Sequence, residues 1–171
     1  MLKVRWKAFE LQPREFPPSP EQKAAKERMI QRSWPRVEAM AREIYGLQLQ
    51  RPRLGVDTRD AHVAAKAAER WNQGDAYHEA LFVAYWQEGR DIGDREVLTS
   101  LAQNLGIDPE AFEAALASEE LMQAVINDQE ESRRLGIGGV PATLIEGKYL
   151  LPGAIPPEEL LKVLEQIEGE K

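Results

Sequence analysis

Residues 136–154 read GIGGVPATLIEGKYLLPGA and predict a β-hairpin that follows a glycine-rich turn. Two short runs, Ala142–Ile145 and Lys148–Leu151, are the expected strands, because each is apolar and a Glu-Gly turn separates them. Pro141 suits the first residue of a strand, since proline has no N–H to give to the ladder. The Val140–Pro141 bond, in a tight turn beside a sheet, is the best candidate in the chain for a cis peptide.

The composition is that of an ordinary globular protein with 43% hydrophobic and 30% charged residues. With 171 residues, the chain can bury one good core, which predicts a single domain with an elaboration. Asp and Glu outnumber Lys and Arg by 29 to 22, and the net charge of -7 argues against a nucleic-acid partner. No apolar run approaches a membrane span, and the N-terminus lacks a secretory signal, so we expect a cytoplasmic protein without a membrane partner.

Cysteine is absent from the sequence, and histidine occurs only at His62 and His78. Without cysteine the chain has no disulfide, no thiolate nucleophile and no Fe–S or cysteine-bound zinc site. Two histidines sixteen positions apart do not have the spacing of a zinc-binding motif. We therefore predict neither a metal nor a cofactor.

The first half of the chain is predicted to begin with a strand and to continue in helices. Leu2–Leu11 alternates apolar and basic residues with a period of two, which predicts a strand with one buried face. A proline-rich connection over 12–20 leads to helices at 21–32 and 35–45, divided at Ser33-Trp34-Pro35. Residues 47–54 are expected to be extended.

From Asp57 onward the sequence predicts a block of helices about seventy residues long. Asp94, Asp108 and Ser118 are the expected caps of three of them. The hairpin then follows, and a last helix begins at Pro156. Strand signals at both ends of a helical block predict a sheet domain, residues 1–56 plus 126–171, with an all-helical insertion at 57–125.

Five segments together resemble the DsbA-like branch of the thioredoxin superfamily. They are Trp6–Pro13 (WKAFELQP), Asp57–His62 (DTRDAH), Phe82–Ile92, Gly139–Pro141 and Gly153–Pro157. Within that branch the chain is most similar to the cytosolic FrnE-like oxidoreductases, which are related to the hydroxychromene-carboxylate isomerases and the kappa-class glutathione transferases. The resemblance covers essentially the whole chain and implies an α/β fold, a thioredoxin-like sheet with a helical insertion.

The resemblance also implies a function and a site. It implies thiol–disulfide exchange or isomerisation on protein thiols, with Gly139, Val140 and Pro141 as a cis-proline turn that docks an extended peptide or glutathione. His62 has two interpretations, a polar group that lines the cleft between insertion and sheet, or a half-exposed histidine that bonds a local acceptor. His78 has no such support and is expected on the surface.

One part of the family pattern is missing from this sequence. Relatives carry a strand and a helix with Cys-Pro-x-Cys, or a serine in the isomerase branch, before the strand that here starts at Leu2. We expect such a unit to precede Met1 in the natural protein. The alternatives are a degenerate relative that closes the sheet without the unit, or a homodimer that fills the gap. The chain of 171 residues should in any case be redox-inactive, since thiol–disulfide exchange needs a thiolate.

Two further functions and one further residue stay open from the sequence. The chain can be a non-catalytic module for peptide binding or dimerisation, or a relative of the glutathione-dependent isomerases and transferases. Glutathione is disfavoured, because no serine stands in a suitable place and Ile155 replaces the polar residue common in relatives. Glu10 is a candidate general base if it is buried, although a solvated carboxylate is the simpler interpretation.

Overall fold

Residues 3–169 are described by the computed structural model, and they form seven helices and one two-stranded sheet. The elements in chain order are α1 Pro20–Tyr45, α2 Arg59–Glu69, α3 Gly74–Trp86, α4 Arg95–Asn104, α5 Pro109–Leu116, α6 Glu119–Arg134, β1 Ala142–Ile145, β2 Tyr149–Pro152 and α7 Pro157–Gly169. The predicted block of helices is α2 to α6, and the predicted hairpin is β1 and β2.

The hydrophobic core lies among α2 to α6. Its largest fully buried side chains are Tyr77, Phe112, Leu98, Val63 and Val125. The buried alanines of α2 let the neighbouring helices approach closely, and the hydroxyl of Tyr77 donates to the backbone oxygen of Leu98 at 2.9 Å. Among the described residues, this core cluster takes only Ala8 from outside that block.

Local signals set the start of the core helices. Asp94, Asp108 and Ser118 each accept a backbone N–H of the following helix with the side chain, as the sequence predicts. Pro109 occupies the first turn of α5, where its missing N–H costs nothing.

The predicted division of the first helical region into two helices is wrong. α1 runs without a break through Pro35. The hydroxyl of Ser33 does not cap a new helix but donates to the backbone oxygen of Met29, one turn earlier, at 3.0 Å. Pro35 has no N–H to donate to the carbonyl of Gln31. Both residues are exposed, and the carbonyl of Gln31 therefore remains accessible to solvent.

The predicted first strand is also absent from the part of the chain that the structure describes. Residues 3–10 are neither helix nor strand, and Leu2 lies outside the described residues. A strand needs a neighbouring strand for its backbone groups, and β1 pairs with β2 instead. Side chains of the helical block hold this segment, here called the N-terminal strap (residues 3–10).

The hairpin forms in antiparallel register, with Ala142 opposite Pro152 and Ile145 opposite Tyr149. Its second strand begins one residue later than predicted. The proposed domain division at 125/126 falls inside α6, which is continuous across it. That division therefore stays a prediction.

Candidate functional site

The glycine-rich turn and the hairpin enclose an open depression of about 270 Å³. Its lining consists of residues 136–142 together with Leu150, Pro152 and Gly153. The Val140–Pro141 peptide is cis, as the sequence predicts. The backbone N–H of Gly153 donates to the oxygen of Pro141 at 2.8 Å, so the start of β1 is tied to the end of β2.

The backbone of this turn is accessible to a ligand. A Cβ atom added at Gly138 or Gly139 would meet no other atom within 4 Å. The side chain of Val140 is exposed. A polypeptide can therefore approach the main chain just before β1, as binding by strand addition requires.

His62 lies elsewhere in the structure. It is half-buried in the first turns of α2 and is not among the residues that line the depression. Burial lowers the pKa of its imidazole, and the charge of Glu10 and the backbone of Phe9 raise it in part. The structure thus places His62 beside the N-terminal strap, and a role for it in substrate binding stays a prediction.

Glu10 is buried, with 5% of its surface exposed, so the interpretation as a solvated carboxylate is wrong. Its two oxygens accept from Nε and Nη2 of Arg59 at 2.6 and 2.8 Å. Arg59 also bonds the exposed Glu15. A carboxylate held on both oxygens by a guanidinium is an ion-pair partner, and this geometry gives no proton-abstracting role to Glu10. The sequence position of Glu10 already indicated burial, because Glu10 continues the even-numbered, apolar face of the predicted strand.

Asp128 is a second buried carboxylate that holds the strap, and the sequence reasoning missed it. One oxygen accepts the backbone N–H of Ala8 at 2.9 Å and contacts Nζ of Lys66 at 2.6 Å, and the other accepts from Lys7 at 2.9 Å. Burial acts to raise the pKa of Asp128, but these donors outweigh it and the pKa is lowered.

A helical pattern could have revealed Asp128. The buried residues of α6 are Leu121, Val125, Asp128 and Ser132, which follow one another at steps of four, three and four. An aspartate on the apolar face of an amphipathic helix needs a partner when it is buried, so its position alone indicates a structural ion pair.

His78 is not a free surface residue, contrary to the expectation. Its ring stacks on Trp6, with ring centroids 3.9 Å apart, and it meets the ring of Phe82 edge-on at 5.0 Å. Burial lowers the pKa of His78, and the charge of Asp75 raises it in part. Trp6 is thus attached to α3, and along its length the strap contacts α3, α6 and α2 in that order.

The neighbourhood of His62 gives a direct test of these contacts. In Glu10→Gln the pKa of His62 should fall further below its usual value, because the carboxylate charge that favours the imidazolium is lost. The measurement is an NMR titration of the two imidazole rings. His78 is the internal control, since its pKa is set by burial and by Asp75. An unchanged His62 pKa would contradict this placement of Glu10.

Residues 3–169 hold neither of two other kinds of site. No group of three or more His, Asp or Glu side chains there is arranged to hold a metal ion. None of the helices in that range is both long enough and apolar enough to span a bilayer.

Sequence comparison gives the family to which the chain belongs. The family profile described as a DSBA-like thioredoxin domain matches residues 1–165. The chain belongs to this family. An uncharacterized protein of Bacillus subtilis (strain 168), YwbO, is 30% identical to the chain over 99% of its length and 84% of the length of that protein.

Solved structures show that the DsbA-like chain shares its fold with longer proteins. A probable DsbA oxidoreductase from Streptomyces coelicolor matches with a TM-score of 0.67 and 25% identity, over 88% of this chain and 62% of that one. The cytosolic disulfide reductase DsbM from Pseudomonas aeruginosa matches with a TM-score of 0.56 and 27% identity, over 71% and 62%. A putative protein disulfide isomerase from Nitrosomonas europaea, at 19% identity and a TM-score of 0.68 over 96% and 79%, shows the fold alone.

These matches confirm the predicted fold class. The DsbA-like chain is mostly helical with a small two-stranded sheet, consistent with a thioredoxin-like fold that carries a helical insertion. It spans 62% of the length of the Streptomyces protein.

Proposed function

We propose that this DsbA-like chain is a FrnE-like thiol–disulfide oxidoreductase homologue whose turn at Gly139–Pro141 docks an extended polypeptide bearing a thiol or disulfide. Family membership supports the class of substrate. The single observation that carries the docking role is the open depression beside β1, where an accessible glycine backbone leads into a strand. We place the protein in the cytoplasm, like the DsbM reductase that it resembles.

Docking at this turn is separate from the redox chemistry. Exchange proceeds by attack of a thiolate on a disulfide sulfur, and the sequence holds no cysteine. The 171-residue polypeptide should therefore give no more reduction of insulin by dithiothreitol than buffer alone. Turnover by this polypeptide would contradict the proposal that it is redox-inactive.

The docking role is tested by filling the depression. The expected result is that Gly139→Tyr weakens binding of a fluorescein-labelled insulin B chain with methylated cysteines by about 10-fold or more in fluorescence anisotropy. The substitution meets no obstacle at the Cβ position, since nothing lies within 4 Å of an added Cβ. Gly169→Tyr is the matched control, because Gly169 is equally open but lies in α7, away from the turn. Equal affinities of the two variants would reject docking at residues 139–141.

A non-catalytic binding or dimerisation module is the second candidate, and exposed apolar side chains on α1 favour it. Met29, Met40 and Ile44 all lie exposed on that helix. Met40 and Ile44 are one helical turn apart and share a face of α1, and contiguous exposed apolar side chains mark interaction surfaces. Sedimentation equilibrium tests the dimerisation form of this candidate: a homodimer that dissociates in Ile44→Lys supports it, and a monomer contradicts it.

A further inference from the structure

Trp6 and Asp75 are held together on the surface of α3. The indole Nε1 of Trp6 donates to Oδ1 of Asp75 at 3.1 Å, and the indole stacks on the ring of His78 with ring centroids 3.9 Å apart. Half of Trp6 (50%) nevertheless remains exposed. A side chain that is already immobilised loses little rotamer freedom when a ligand covers it, and tryptophan is among the residues that contribute most to binding energies.

α3 adds a second carboxylate and a second exposed ring beside this pair. Glu79 lies one helical turn after Asp75, and Phe82 lies one turn after His78, so these four side chains share one face of α3. The ring of Phe82 meets that of His78 edge-on at 5.0 Å and is 52% exposed, and both carboxylates are exposed as well. We call Trp6, Asp75, His78, Glu79 and Phe82 the α3 patch.

The charge of the α3 patch is negative, and the chain itself does not neutralise it. Within residues 3–169, no lysine or arginine forms an ion pair with Asp75 or Glu79. Burial lowers the pKa of His78, so its imidazole is neutral at pH 7 and supplies no cation either. Lys7, the residue after Trp6, is held by two carboxylates of α6. A positively charged ligand is therefore complementary to this patch.

An exposed indole with a carboxylate at its edge suits a guanidinium group. A cation within about 6 Å of the centroid of a tryptophan ring is attracted by the π electrons. The guanidinium of arginine is planar, stacks on aromatic rings and donates to carboxylate oxygens, whereas the ammonium of lysine is a compact and more strongly hydrated charge. Trp6 occupies only Oδ1 of Asp75, and among the described residues no donor bonds to Oδ2.

A ligand on the α3 patch needs no backbone group of the N-terminal strap. A strand placed beside residues 3–7, such as one from the unit expected before Met1, would bond to their main chain. Four of the five members of the patch belong to α3, and Trp6 contributes its side chain. No member of the patch lines the depression at the turn. The α3 patch is thus a surface of the helical block.

We propose that the α3 patch is a second binding site, which takes an arginine side chain of a polypeptide partner. The guanidinium stacks on the exposed indole of Trp6 and donates to Oδ2 of Asp75, and the charge of Glu79 adds to the attraction. The methylene groups of the arginine and an apolar residue next to it in the partner cover Phe82, which a free small cation would leave exposed. The proposal does not depend on the function assigned to the turn at Gly139–Pro141.

The probe is a fluorescein-labelled octapeptide of alternating arginine and valine, measured by fluorescence anisotropy. Replacement of its arginines by citrulline, which keeps the shape without the charge, should weaken binding by about 10-fold or more. Replacement by lysine should weaken it by about 3-fold or more, because an ammonium cannot stack and donate at once.

Variants of the chain locate the peptide on the patch. Asp75→Asn should weaken binding of the arginine peptide by about 5-fold or more, and its amide oxygen can still accept from Trp6. Glu110→Gln is the matched control, because Glu110 is the second residue of α5, as Asp75 is of α3, and is also exposed. Phe82→Ala should weaken binding by about 3-fold or more, and Phe16→Ala, at a phenylalanine that is 71% exposed off the patch, should not. 

Each other outcome overturns the proposal. It is overturned if the unaltered chain does not bind the arginine peptide, if the citrulline or lysine peptide binds equally well, or if Asp75→Asn and Glu110→Gln lose affinity alike. Loss of binding in Gly139→Tyr would assign the peptide to the turn instead. Binding of free arginine amide as tight as that of the peptide would show a small-molecule site. Thermal unfolding midpoints check that the variants remain folded, and the comparison of arginine with citrulline needs no variant.

Discussion

Asp128→Ala should lower the free energy of unfolding by about 3 to 5 kcal/mol, because it removes the acceptor from a buried ion pair and from a buried backbone N–H. Asp128 is 5% exposed, and it serves Lys66, Lys7 and the N–H of Ala8 at once. Lys7 keeps Glu131 as a partner at 2.7 Å, but Lys66 and the Ala8 N–H lose their acceptor. The loss is a large part of the 5 to 15 kcal/mol that stabilises a typical domain.

Urea unfolding measures this loss of free energy, and two further variants serve for comparison. Glu131→Ala removes only an exposed partner of Lys7 and should cost about 1 kcal/mol or less. Asp128→Asn keeps an oxygen for the Ala8 N–H, but it loses the charge and turns the oxygen that faces Lys7 into an N–H donor, so it should cost about 2 kcal/mol, between the other two. A cost below about 1 kcal/mol for Asp128→Ala would contradict the role of this carboxylate as the anchor of the strap.

The same carboxylate makes a defined contribution to the pH dependence of stability. Its pKa is lower in the folded chain than in the unfolded one, so its stabilisation is complete above the unfolded value near 4 and disappears as the pH falls through the lower, folded value. Asp128→Asn lacks this contribution. The difference in unfolding free energy between the two proteins should therefore shrink as the pH is lowered from 6 towards the folded pKa.

The hairpin and the helix caps were predictable because their signals are local. A Glu-Gly turn between apolar runs, or an aspartate four residues before a buried leucine or phenylalanine, needs no knowledge of distant residues. The DsbA-like resemblance added the prediction that the turn at Val140–Pro141 is the cis-proline turn of the family. Pro35 does not divide the helix, because its position is exposed and the carbonyl that it leaves without a donor is not buried.

The strap could not be predicted in the same way. The alternation in residues 2–11 correctly indicates two unlike faces, but whether such a segment becomes a strand depends on a backbone partner elsewhere. Its actual partners are far along the chain, since Asp128 lies 120 residues after Ala8 and Arg59 lies 49 residues after Glu10. A single sequence shows that Asp128 and Glu10 are unusual on their apolar faces, but it does not say which cation or N–H meets each of them.

Arg59→Ala should also destabilise the fold by about 3 to 5 kcal/mol, since it leaves the carboxylate of Glu10 buried without its cation. Arg59→Lys should recover only part of the loss, because an ammonium cannot bond both oxygens of Glu10 as the planar guanidinium does. Glu15 is exposed and should contribute little to either value. Urea unfolding of the two variants gives the comparison.

A double variant separates the requirement for charge from the requirement for a filled space. In Glu10→Leu with Arg59→Met, neither residue brings a charge into the buried site, and the apolar side chains can still fill most of the volume. Its unfolding free energy should lie within about 1 kcal/mol of the unaltered chain, well above that of Arg59→Ala. A double variant as unstable as Arg59→Ala would show that the ion pair itself stabilises the junction between strap and α2, and the cost of an unpaired Glu10 would then be the wrong explanation.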